Sequence, residues 1–171
     1  MSIQDAIKGL IVDDKLIDRP SSFLGMRGRR LYVTPEIDGI ARKPFADTHK
    51  DERLAELAAS LDAFCELNEI TVSENPDDKP RDVMLARVRP VNREFWSMRV
   101  TEPEGSPGIR VLGGFAGRDE FVALAWDMRE NISDFDEEVK EVSSVWNDYF
   151  GTILPFQGVE LDDYLTNYYA F

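Results

Sequence analysis

Hydrophobic and polar positions follow their clearest pattern between residues 94 and 128, where three runs predict an antiparallel β-meander. Residues 95–100, FWSMRV, alternate between an apolar face and a face that carries a serine and an arginine. The runs at 109–113 and 121–126 are continuously apolar, which is typical of strands covered on both faces. Gly113 and its neighbouring glycine fall inside a strand, and this placement predicts a bulge or twist point.

Helical spacing appears on both sides of the meander. Apolar residues recur every three or four positions within 48–68 and within 133–150, which predicts two main amphipathic helices. A short helix is expected over residues 2–12 and a brief strand over 31–34. The pattern at 83–89, VMLARVR, fits either a strand or a helix tail.

These elements predict one α+β domain over residues 1–171, with an antiparallel meander of three to five strands packed by the two main helices. Residues 1–47 form an N-terminal extension with a short helix and strand, and residues 48–150 form the core. Residues 151–171 form a C-terminal segment whose last eight residues include four aromatic side chains. We expect these aromatic residues to pack back onto the domain or against a second copy of the chain, because exposed they would form an apolar patch.

The residues that most enzymes use are scarce in this chain. Cys65 is the only cysteine and His49 the only histidine, so a disulfide, a zinc motif and a histidine-based triad are not expected. Cys65 also lies on the apolar stripe of its helix, which predicts a buried, unreactive thiol. The glycine-rich motifs that hold dinucleotides or nucleoside triphosphates are missing as well. The sequence therefore predicts no cofactor and no metal.

The net charge of −13 is unevenly distributed. Residues 131–171 carry nine acidic side chains and one basic side chain, whereas residues 93–130 carry seven and five. Long-range repulsion of phosphates weighs against general nucleic-acid binding, although a local arginine patch near the meander remains compatible with this charge. The sequence contains no apolar run of membrane-spanning length and no positively charged start, so we expect a cytoplasmic protein without a membrane segment.

Two sets of side chains are candidates for a site. Glu138, Glu141 and Asp148 lie off the apolar stripe of the second main helix, and they predict either a solvated face or a docking face for a basic protein partner. Arg99 and Arg110 lie on neighbouring strands of the meander. They would either pair with the abundant carboxylates or face an anion.

The amino-acid sequence of the meander resembles that of the RelE/HigB superfamily of bacterial and phage toxins. The matching segments are WSMRV at 96–100, GIRVLGGF at 108–115 and FVALAW at 121–126. This resemblance implies a small ribosome-dependent mRNA endonuclease, or a relative that acts on another target. It also implies that Arg99 and Arg110 face the RNA phosphates and stabilise charge on the scissile group. The acidity of the chain departs from the strongly basic character of such toxins.

We therefore expect a non-catalytic interaction protein on a toxin-like module, which recognises a protein partner through the acidic helix face. The first alternative is an active RNA-cleaving toxin that uses the meander arginines. The second alternative is a small-molecule enzyme that uses carboxylates in a cleft between sheet and helices.

Overall fold

Eight strands form one mixed sheet that has helices on both faces. The computed structural model describes residues 1–20, 28–45 and 48–171, and the side chains of 48–51 lie outside that description. The helices are α1 (Ile3–Val12), α2 (Pro35–Ile40), α3 (Thr48–Cys65), α4 (Phe135–Phe150) and α5 (Leu161–Tyr164). The strands are β1 (Ile17–Asp18), β2 (Arg30–Val33), β3 (Ile70–Ser73), β4 (Leu85–Arg87), β5 (Phe95–Val100), β6 (Ile109–Gly117), β7 (Glu120–Met128) and β8 (Tyr168–Ala170).

The spatial order of the strands is β1-β2-β7-β6-β5-β4-β3-β8. The four central strands, from β7 to β4, pair antiparallel with one another. Parallel pairs flank them, β2 on β7 at one side and β4 on β3 on β8 at the other. The long meander strands therefore occupy the middle of the sheet, and short strands from both ends of the chain extend it.

The meander is confirmed, and its double glycine marks an irregularity as expected. The register between β6 and β7 shifts between Leu112 and Gly113. A β-carbon at Gly113 would collide with the carbonyl oxygen of Val122, so this close approach of two backbones requires glycine. The hairpin between β6 and β7 is short, and Asp119 in it adopts a positive φ of 57°.

Two hydrophobic clusters lie on opposite faces of the sheet. One face packs against α2, α3 and α5, and its cluster includes Trp96, Phe115 and Phe121. The other face packs against α1 and α4, and its cluster includes Leu112 and Trp146. The predicted helices thus cover opposite sides of the sheet, which explains why the β6 and β7 runs are apolar at nearly every position.

The helix ends follow ordinary capping chemistry. Ser2 and Asp5 form a reciprocal capping box at the start of α1, as their spacing predicts. The helix α4 begins two residues later than expected, because the side chain of Asp134 rather than Ser133 accepts the hydrogen bond at its first turn. Gly151, with a φ of +62°, ends α4 as predicted. The helix α3 ends at Cys65, so the predicted range 48–68 is three residues too long.

The predicted sheet of three to five antiparallel strands with two helices is wrong in its finer detail, although mixed helix and sheet is confirmed. The brief strand predicted at 31–34 is confirmed as β2 (Arg30–Val33). The other additional strands span only two to four residues each, too few for an alternating pattern to be recognised. The N-terminal extension contributes β1 and β2 to one side of the sheet. The undecided stretch 83–89 contains β4.

Candidate functional site

Four cations line one concave pocket on the α4 face of the sheet. We call it the cationic pocket; its volume is about 250 Å³. Its charged lining consists of Lys79, Arg99, Arg110 and Arg129, and its remaining lining consists of Ser97, Ala86, Val88 and Phe135. It therefore combines a cationic side with an apolar wall.

The meander itself places two of these cations side by side. Arg99 on β5 and Arg110 on β6 are directly opposite one another in the antiparallel register. Directly opposed residues point to the same face of a sheet and lie within a few ångströms of each other. Arg129 follows the last residue of β7, and its guanidinium lies 5.4 Å from the centre of the Phe135 ring at the start of α4.

The donors of these side chains are only partly used, and their protein partners are main-chain carbonyl groups. Arg99 donates from Nη1 to Pro80 O at 2.8 Å, which holds the preceding loop against the sheet. Arg110 and Arg129 each donate from Nη1 at 3.0 Å, to the carbonyls of Ile109 and Ile132. Lys79 Nζ donates to Pro76 O at 2.9 Å. Apart from a 3.5 Å contact between Arg99 Nη1 and Val83 O, the other guanidinium N–H groups of the three arginines have no protein acceptor among the described residues and are left for a ligand or water.

The like charges disturb one another. Burial first, and then the charges of Arg99 and Arg129, lower the pKa of Arg110 to about 10. Burial also lowers the pKa of Arg99, with the attraction of Asp82 opposing it and Arg129 adding to it. The pKa of Lys79 is lowered by burial and by the three arginines, although its side chain as a whole is exposed at the rim. Each cation would be stabilised by an anion placed among them.

Asp127 lies directly opposite Arg110 on β7, and Asp82 attracts Arg99, but neither carboxylate forms an ion pair with the cluster. Among the described residues, no Asp or Glu oxygen lies within 4.0 Å of a cationic nitrogen of Lys79, Arg99, Arg110 or Arg129. Other arginines whose side chains are at most 17% exposed all have such a partner, namely Arg19, Arg29, Arg53 and Arg87. A buried cation is costly unless an opposite charge accompanies it. The cationic pocket is therefore a place where an anion from solution would supply that partner.

The expectation that Arg99 and Arg110 pair with carboxylates is therefore wrong, and the two residues converge on one pocket instead. Sequence reasoning did not single out Lys79 and Arg129 as site residues. Lys79 belongs to a polar, proline-containing loop that reads as a plain turn, and Arg129 lies just beyond a strand end. Both residues reach the site only through the fold, and no local sequence pattern indicates that they do.

The predicted acidic residues lie on α4. Glu141 and Asp148 are exposed, and Glu138 is half-buried. Burial raises the pKa of Glu138, and the charges of Glu141 and Asp127 raise it further. Glu138 and Glu141 thus share one negative surface. The binding of a basic partner there stays a prediction.

The remaining candidates offer little reactive chemistry. Cys65 is 1% exposed, and burial raises the pKa of its thiol to about 12, as expected of an unreactive cysteine. The side chain of His49 lies outside the described residues. Across the described ranges, no three His, Cys, Asp or Glu side chains are grouped so that they could hold a metal ion. In the same ranges, no helix is both long and apolar enough to cross a membrane.

The C-terminal segment packs back onto the sheet, as its aromatic composition predicts. β8 pairs parallel with β3, and Tyr164 is 1% exposed. Tyr169 and Phe171 remain 56% and 52% exposed, with their rings in edge contact at 5.2 Å. Association of two copies through these rings stays a prediction.

Comparison of the chain with protein-family models, with curated proteins and with solved structures finds no match. The interpretation of the site therefore rests on its own geometry and electrostatics.

Proposed function

We propose that this protein is a non-catalytic interaction protein that captures an anionic group, such as a phosphate, in the cationic pocket. One observation carries the proposal: four cations converge there, and none of them has a carboxylate partner among the described residues. This arrangement occurs in a chain whose net charge is −13, where a carboxylate would be easy to supply. A cluster of like charges costs free energy, and a bound anion would offset that cost.

The chemistry of the lining favours an oxyanion with several acceptor atoms. Three guanidinium groups present forked N–H donors, which suit phosphate and carboxylate oxygens. The hydroxyl of Ser97 is buried on the same sheet face, and it would donate to the anion only by giving up its 3.5 Å hydrogen bond to the carbonyl of Met98.

Anion binding is tested directly by titrating the full chain with inorganic phosphate and following heat or amide NMR shifts. We expect saturable binding that involves the amides of β5 and β6. Arg110→Gln should weaken it by at least about tenfold, because a hydrogen bond to a charged group contributes about 1.5–3 kcal/mol. Arg99→Gln should act in the same direction.

The matched control is Arg118→Gln, which removes one exposed arginine from the β6–β7 hairpin without touching the cationic pocket. It changes net charge by the same amount, so any general charge effect appears in it too. Equal loss of affinity in Arg118→Gln and Arg110→Gln, or no saturable binding by the wild type, would refute the proposal.

A second candidate is RNA cleavage, in which Arg99 and Arg110 stabilise charge on a scissile phosphate. The observation in its favour is that these two residues, named by the resemblance to RelE/HigB toxins, face each other across β5 and β6. It predicts growth arrest and loss of mRNA when the protein is expressed in bacteria, relieved by Arg99→Ala or Arg110→Ala. Normal growth with intact mRNA would remove this candidate and leave the binding proposal untouched.

A further inference from the structure

The cationic pocket opens into a groove that runs along the first two turns of α4. A second cavity of about 240 Å³ shares Lys79, Val88 and Phe135 with the pocket and adds Arg89 and Asp136. A third cavity of about 440 Å³ shares Arg89 and Asp136 with the second. We call these three adjoining cavities the α4 groove. Its volume well exceeds the needs of an inorganic ion.

The far end of the α4 groove is formed by α4 and the turn that follows β4. Pro90 and Arg93 come from that turn, and Val139 and Lys140 come from the second turn of α4. Arg93 is exposed and has no carboxylate within ion-pair distance in the described part of the chain. Val88 and Val139 are 4% and 2% exposed, so they contribute an apolar floor beneath charged rims.

The charges along the α4 groove allow one phosphate group but not a run of them. Beyond the cationic pocket, Asp136 lies on the wall, and Arg89 is already ion-paired with Asp77. A polymer with a phosphate at every residue would therefore bring its second phosphate next to a carboxylate. The overall charge of −13 adds long-range repulsion of such a polyanion. A ligand with a single strongly anionic group and an otherwise mixed, extended body fits better.

We propose, on the basis of the function proposed above, that the ligand is a peptide segment with one phosphorylated side chain. The phosphoryl group lies in the cationic pocket, and the main chain follows the α4 groove across Phe135. Residues 135–140 of α4 span about 7.5 Å at 1.5 Å per residue. That length corresponds to roughly two to three residues of an extended peptide. An acidic side chain at that distance from the phosphorylated residue would reach Arg93.

The test uses degenerate peptide libraries that each contain one fixed phosphoserine, phosphothreonine or phosphotyrosine, with a matched unphosphorylated library for each. The full-length protein is immobilised, retained peptides are sequenced, and affinities are measured for enriched sequences and for inorganic phosphate. We expect at least one phosphorylated library to be retained over its control. Enriched peptides should bind at least about tenfold more tightly than inorganic phosphate, since added groove contacts contribute beyond the phosphoryl group.

Two variants separate the pocket from the α4 groove. Arg110→Gln should abolish retention of the phosphorylated libraries and weaken inorganic phosphate as well. Arg93→Glu should change the affinity for inorganic phosphate no more than Arg118→Glu does, while it reverses the preference for an acidic residue two or three positions from the phosphorylated one. Arg93 is exposed at the far end of the α4 groove, so this change is not expected to disturb folding.

The outcomes distinguish this inference from the function proposed above. If inorganic phosphate binds but no phosphorylated library binds more tightly, the peptide ligand is refuted and anion capture stands. If neither binds, both proposals fail. An oligoribonucleotide with a 5′-phosphate that outcompetes the enriched peptides would also refute the peptide ligand, in favour of a nucleic acid.

Discussion

Arg29 and Arg110 are both buried arginines beside the same sheet, 3% and 8% exposed, and their surroundings differ in kind. Arg29 donates to the carbonyls of Phe64 in the last turn of α3 and of Asn68 after it, and to those of Thr166 and Asn167 before β8. Arg110 donates to the carbonyl of its own neighbour, Ile109, and lies beside two further arginines. The protein supplies carbonyl acceptors for both Nη groups of Arg29, whereas Arg110 has a single one.

The counter-charges differ in the same way. Arg29 Nε lies 3.4 Å from a carboxylate oxygen of Asp119, and that carboxylate also accepts hydrogen bonds from the backbone and hydroxyl of Thr166. Burial lowers the pKa of Arg29, but Asp119 opposes the shift. For Arg110 the neighbouring charges are Arg99 and Arg129, and they add to the effect of burial. Burial alone therefore does not identify a functional arginine; the identity of its partners does.

Among the substitutions that test this difference, Arg29→Met should have the largest effect on stability. It removes the donors of four main-chain carbonyls and leaves Asp119 without its buried cation, so we expect the free energy of unfolding to fall by about 3–5 kcal/mol. Urea unfolding followed by tryptophan fluorescence measures it. The control Arg30→Met changes the adjacent, exposed arginine at the start of β2 and should cost less than about 1 kcal/mol.

The labelling rate of the Cys65 thiol reports the local effect of Arg29→Met. Its carbonyl accepts the backbone N–H groups of Gly28 and Arg29, so the thiol lies next to the contacts that Arg29 makes. A buried thiol with a pKa of about 12 should react slowly with a thiol reagent at pH 8 in the wild type. Arg29→Met should speed labelling by at least about tenfold, because local opening becomes easier. Equal labelling rates in the two proteins would show that Arg29 does not hold this region closed.

Arg110→Met should behave in the opposite way. It removes one of several like charges and only one main-chain hydrogen bond, so the free energy of unfolding should stay within about 1 kcal/mol of the wild type or rise. Phosphate at a hundred times its dissociation constant should stabilise the wild type by about 2.7 kcal/mol, and Arg110→Met should lose most of that gain. Urea unfolding with and without phosphate measures both. A large loss of stability without phosphate would make Arg110 a structural residue like Arg29.

The difference between these arginines also shows where sequence reasoning stops. Period-two alternation along β5 places Arg99 on the face opposite Trp96, and the meander brings Arg110 alongside, so both could be named in advance. Lys79 reaches the pocket because Arg99 holds the carbonyl of Pro80, a contact between a loop and a distant strand. Arg29 depends on carbonyls 137 and 138 positions away along the chain. A local sequence pattern predicts whether a segment is a helix or a strand, but not which distant part of the chain packs against it.

The smallest expected effect concerns the pH dependence of phosphate affinity. The pKa of Lys79 is lowered by burial and by the three neighbouring arginines, so its ammonium group loses its proton at a lower pH than an ordinary lysine. Phosphate is already a dianion above about pH 8, so from there its affinity should fall several-fold as Lys79 loses its proton, although a bound anion raises the pKa of Lys79 again. Arg110, whose pKa is about 10, adds to the fall at the upper end of this range. Lys79→Arg should remove the part of the fall that is due to Lys79 and keep the part that is due to Arg110, which phosphate titrations between about pH 8 and 10.5 would measure. An unchanged profile in Lys79→Arg would show that Lys79 contributes no charge to the site, and the pocket would then depend on its three arginines alone.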